Sequence, residues 1–141
     1  MATSKDDKLR GIFKGNRSIA VLGMSRSMKK PANWIPIYLS TKNYVIIPIN
    51  PKAGHIKVWK SYADLKEVPG RIDILQIFRP PEEALEIVKA AIERKKIKGD
   101  INVIWLQEGQ KEEAKELAES EGITFIQGTC MYREYKRLML A

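Results

Sequence analysis

Five short apolar runs, each closed by turn-forming residues, constrain this chain most: residues 18–23, 44–49, 72–78, 101–106 and 123–126. Runs this uniformly apolar suit strands buried on both faces, the condition inside a parallel sheet. Between them lie stretches with apolar residues at helical spacing. Pro31 and Asn33 start one through Trp34, Ile35, Tyr38 and Leu39, with Pro36 tolerated only inside its first turn. Pro80-Pro81-Glu82-Glu83 opens the next, which carries Leu85, Ile87, Val88, Ala91 and Ile92 toward Gly99. Two more are expected over 110–121, stopped by Gly122, and over 131–139. Leu9, Ile12 and Phe13 predict a short docking helix over 6–14. Weaker signals predict a small edge strand around Lys57-Val58-Trp59 and one helical turn over 61–65. Strands alternating with helices in this way predict an α/β fold: a three-layer, doubly wound, mostly parallel sheet.

At 141 residues the chain fits one domain, expected as an N-terminal helix within 1–16 and a core over 17–141. No apolar run approaches the roughly 20 residues of a membrane span, and the polar start does not read as a secretion signal, so a cytoplasmic location is expected. One cysteine, Cys130, excludes an intramolecular disulfide. With one histidine, His55, it cannot build a Cys/His zinc cage. The net charge of +8 is uneven: residues 1–60 carry 12 Lys/Arg against Asp6 and Asp7, while 61–141 carry 13 against 15 acids. A basic half of this kind attracts phosphates, nucleic acid or acidic surfaces and says nothing about fold.

Ligands of such sheets bind outside the carboxyl ends of the strands, where strand order reverses. Four loops meet that condition. The first, Gly23-Met24-Ser25-Arg26-Ser27-Met28-Lys29-Lys30-Pro31, fails the dinucleotide fingerprint because Ser25 and Met28 stand where its later glycines belong. It nevertheless offers a tight glycine turn, amides ahead of a helix, two hydroxyls and three cations for an anion. The second, Asn50-Pro51-Lys52, has a lysine where an NAD site would offer an acid. That lysine suits a phosphate on an adenosine ribose, as in NADP or coenzyme A. The third, Phe78-Arg79-Pro80-Pro81, makes a rigid wall with a cation, fit for an adenine or a pantetheine arm. The fourth, Trp105-Leu106-Gln107-Glu108-Gly109, adds a polar side chain and a glycine.

The ordered set Val-Leu-Gly-x-Ser (21–25), Lys-Pro (30–31), Pro-x-Asn-Pro (48–51), Phe-Arg-Pro (78–80) and Trp-Leu-Gln-x-Gly (105–109) resembles the small single-domain CoA-binding proteins. These are similar in fold to the N-terminal domain of the succinyl-CoA synthetase α subunit. The resemblance covers roughly residues 15–140. It implies a Rossmann-like domain binding coenzyme A or an acyl-CoA, with Gly23, Met24, Ser25, Arg26, Lys29, Lys30 and Pro31 around the phosphates. Asn50, Pro51, Lys52, Phe78, Arg79 and Pro80 would line the nucleotide and the start of the pantetheine arm, with Gln107 and Gly109 across the cleft. The synthetase uses a phosphorylated histidine in a second domain that has no counterpart here, so the resemblance implies a binding module rather than a complete enzyme. A protein partner or a homo-oligomer stays open.

Other residues point to no chemistry. Cys130 ends the last strand near the binding edge, where a mixed disulfide with the CoA thiol is conceivable, but a small buried side chain is the expectation. His55 lacks a partnering acid or nucleophile at readable spacing and is read as surface. Trp34, Trp59, Trp105, Tyr132 and Tyr135 are expected to pack the core or an interface. Two other functions remain: an NADP-dependent reductase, consistent with Lys52 but lacking the glycines, and a nucleic-acid binder, consistent with the charge and expected to be salt-sensitive.

Overall fold

A computed structural model describes residues 4–140; any part of the N-terminal helix in residues 1–3 lies outside that range. In chain order the elements are α1 (Lys5–Gly15), β1 (Ser18–Leu22), α2 (Pro31–Ser40), β2 (Val45–Ile49), β3 (His55–Ile56), β4 (Trp59–Lys60), β5 (Ile74–Ile77), α3 (Ala84–Lys98), β6 (Val103–Leu106), α4 (Glu112–Ser120), β7 (Thr124–Ile126) and α5 (Met131–Met139). Five strands form one parallel sheet in the order β2-β1-β5-β6-β7. The chain moves outward from β1 to β2, then crosses back over β1 to β5. Strand order therefore reverses between β1 and β5, and the loops after those strands diverge over the carboxyl edge.

The alternation of side chains along each strand sorts the core into two layers. Ile19, Val21, Ile74, Val103 and Trp105 face α1, α2 and α5. Ala20, Leu75, Ile77, Ile104 and Leu106 face α3 and α4. The helix expected over 131–139 forms over those residues, and the docking helix becomes α1, capped by Ser4 through its Oγ to the Asp7 amide at 3.0 Å. The α1 helix seats Leu9, Ile12 and Phe13 against α5 and is clipped to it by Arg137 on Asp6 at 2.8 Å.

Three local expectations are corrected. Pro36 lies in the second turn of α2, because the helix already begins at Pro31. It is tolerated because the carbonyl its missing N–H leaves free, that of Ala32, accepts the Ser25 amide instead at 3.1 Å. Around residues 57–59 there is not one edge strand but a two-stranded hairpin, β3 against β4, turning at Lys57 with φ 56°. The helical turn falls at Leu65–Glu67 rather than over 61–65, because the Asp64 side chain and Glu67 form a reciprocal capping box there.

Tyr44 ties α1 to the sheet by donating its hydroxyl to the Phe13 carbonyl at 2.5 Å. Burial, reinforced by Tyr135, pushes its phenol up to about 12, against a small opposing pull from Arg17. A phenol whose folded pKa is raised contributes stability that is whole below the unfolded value near 10 and is lost as pH climbs to about 12. The loss is on the order of 2–3 kcal/mol. Thermal unfolding followed between pH 9 and 12 is expected to fall more steeply for the native chain than for Tyr44→Phe, which has no phenol to ionise.

Candidate functional site

The loop after β1 is shaped by residues of its neighbours. Gly23 has φ 90°, and a Cβ there would sit 2.7 Å from the Phe78 carbonyl oxygen and 3.1 Å from Arg79 Cδ, so only glycine lets the β1 and β5 loops meet. Asn33, which is buried, donates to the Ser25 carbonyl at 2.7 Å, and Asn50 donates to the Met24 carbonyl at 2.9 Å. The Ser25 Oγ accepts the Ser27 amide at 3.0 Å. With the Ala32 carbonyl holding the Ser25 amide, the loop is fixed from three sides. Among the described residues, the amides of Met24, Arg26, Met28 and Lys29 have no acceptor. Three of them, on the exposed residues Arg26, Met28 and Lys29, stand with the Arg26 and Lys30 side chains as an anion-binding arrangement.

This loop borders a cleft of about 1050 Å³. Of the residues expected to bind a cofactor, Gly23, Met24, Ser25, Arg26, Lys30, Asn50, Pro51, Lys52 and Arg79 line it. Met24, which is wholly buried, borders it from beneath. Asn50 is engaged with Met24 and, through Oδ1, with the Lys52 amide at 2.8 Å. Arg79 is held by Glu83 through two bonds of 2.8 and 3.1 Å. Those hydrogen bonds hold the Glu83 carboxyl below the usual carboxylate range and raise the Arg79 guanidinium. The cleft is bipolar. Its cations sit on the β1, β2 and β5 loops, while Asp64, Glu82, Glu83 and Glu86 also line it, Glu83 against Arg79.

A second cleft, of about 730 Å³, lies on the α2 and α5 side of the same edge. It takes Pro31, Gln107 and Gly109, so the expected residues divide between two clefts. Lys29, Phe78 and Pro80 line neither. The clefts adjoin twice: Lys30 borders one and Pro31 the other, and Gly109, with φ 76°, is pressed against Pro81, whose next residue, Glu82, lines the first. The second cleft also corrects one expectation. Cys130 is partly exposed in its wall rather than buried, because it caps α5 at the sheet edge. Trp34 and Tyr132, packed edge to face at 5.0 Å, line it as well, whereas Trp105 and Tyr135 are core.

Sequence reasoning missed the α3 rim and the wall formed by Ala63, Asp64 and Leu65. The α3 rim had a local signal: Glu83 and Glu86 follow Arg79 by four and seven residues, one face of a helix. His55 is exposed in the hairpin, as read. No helix of the described residues is long and apolar enough to cross a membrane.

Comparison with known proteins agrees with this edge-centred architecture. The Bacillus subtilis (strain 168) protein YneT is 29% identical over 125 residues, covering 88% of this chain and 89% of its own. A hypothetical protein from Pyrococcus horikoshii OT3 superposes with a TM-score of 0.87 at 27% identity, over 99% of each chain. A Thermus thermophilus structure gives 0.87 at 28% identity, over 96% of this chain and 99% of that one. The family model described as a CoA binding domain matches residues 17–136. This chain, with its parallel sheet and its paired clefts at the carboxyl edge, belongs to the CoA-binding domain family.

Proposed function

We propose that the chain binds coenzyme A across its carboxyl edge, as a binding module. The observation that carries this reading is the fixed loop over 23–30, which borders the larger cleft with the cations Arg26 and Lys30 and the free Arg26 amide. The residues present fit the group. Phosphates suit the Arg26 amide with the Arg26 and Lys30 side chains, and a ribose phosphate suits Lys52. The apolar pantetheine arm suits the passage by Pro31, Pro81 and Gly109 into the second cleft. Bound there, CoA would supply a thiol or thioester; the chain's own residues bind and orient it.

Replacing Lys30 and Lys52 together by alanine is expected to weaken CoA binding about 10–100-fold, two charged contacts being lost. Calorimetric titration with CoA and dephospho-CoA checks this. The native chain should prefer CoA, and the variant should lose most of that preference. Equal affinity of the native chain for NADP would favour the reductase reading, and affinity that collapses with salt for any polyphosphate would favour nucleic acid.

A further inference from the structure

The second cleft carries a feature that CoA alone does not use. Gln107 is over nine-tenths buried, and its Oε1 is pinned twice, by the Met131 amide at 3.2 Å and by Gln76 Nε2 at 3.1 Å. That leaves its Nε2 without an acceptor among the described residues, at the cleft's inner wall. At the mouth stand Arg133 and Lys136, one helical turn apart on α5. Neither forms an ion pair among the described residues, although every other arginine on α3 and α5 does. Lys136 is steered instead by Tyr132, whose hydroxyl accepts from Nζ at 3.2 Å and whose ring lies 4.9 Å beneath it. Trp34 and Tyr132 supply an apolar wall between the buried amide and the two cations. Glu108 is the single carboxylate on this lining.

A carbonyl acceptor at the inner wall, a short apolar spacer and an anion at the mouth describe one ligand class. We propose that the second cleft is an acyl subsite for short acyl-CoA thioesters whose acyl chain ends in a carboxylate. Gln107 Nε2 donates to the thioester carbonyl, the methylenes lie along Trp34 and Tyr132, and Arg133 with Lys136 pair with the terminal carboxylate. The inference rests on the CoA-binding reading above.

The test compares matched thioesters that differ only in a terminal carboxylate against a methyl: malonyl- with propionyl-CoA, and succinyl- with butyryl-CoA, each beside free CoA. The native chain should bind at least one dicarboxylic member about three- to tenfold more tightly than its partner, the range for a partly exposed double ion pair. In R133A/K136A, both of whose altered side chains lie on the exposed face of α5, that preference should vanish while affinity for free CoA stays. Equal affinities within both pairs, or a preference that survives in R133A/K136A, overturns the subsite and leaves CoA binding standing. Failure of free CoA to bind the native chain overturns the functional reading itself, and the subsite with it.

Discussion

Arg94→Ala is expected to destabilise the fold by about 3–5 kcal/mol, the cost of breaking a buried ion pair from one side. Arg94 and Asp100 are 5% and 1% exposed. The guanidinium donates to the Leu65, Val68 and Gly70 carbonyls at 2.7–2.9 Å and to Asp100, whose Oδ2 also accepts the Ile72 amide. Truncation would leave a buried carboxylate without its cation and the Val68 and Gly70 carbonyls without donors, while Leu65 keeps only the Val68 amide at 3.4 Å. Leu65, whose carbonyl is one of these, also walls the larger cleft, so ligand affinity should fall together with stability. Thermal and urea unfolding check the first effect, and titration below the melting temperature checks the second. A midpoint that hardly moved would show that the segment is held by its apolar residues, Leu65, Val68 and Ile72, alone.

The second large effect is expected at Gly23. A methyl group there must occupy a position 2.7 Å from the Phe78 carbonyl oxygen, on a residue with φ 90°. Backbone strain and overpacking together are expected to cost about 2–4 kcal/mol, relieved only by parting the β1 and β5 loops. Parting them displaces Arg79 and the loop amides at once. CoA binding in Gly23→Ala should therefore drop beyond calorimetric detection while the sheet, followed by far-UV circular dichroism, persists. Retained binding would mean that the loops do not have to meet for the ligand to be held.

What could be read in advance follows from how local the determinants are. The β1 strand and α5 were legible because uninterrupted apolar runs and a 3.6-residue period are properties of adjacent residues. The hairpin was not, since strands of two residues are too short to show any period. Cys130 was misplaced because its exposure depends on where α5 meets the sheet edge, which no neighbour in sequence records. The Arg94 network was invisible for the same reason: its carbonyl partners lie 24–29 residues upstream. The site divided similarly. Strand-end loops could be named from topology, but their sorting into two clefts depends on which sheet face each following helix covers. Arg79 was placed at the edge by sequence, and only the structure shows it already engaged by Glu83.

The shape of the loop after β1 is set by Ala32, Asn33 and Asn50, none of which belongs to its exposed stretch, Arg26 to Lys29. Form and lettering are thus written in separate places. The helix fault at Pro36 supplies one of those outside supports, so a buried residue that lines neither cleft helps fix where the loop's amides stand. Residues 26–29 are thereby free to drift under selection for different anions without redrawing the cradle that presents them. Related chains should then diverge in ligand preference at these four positions first, while the proline and the two asparagines hold.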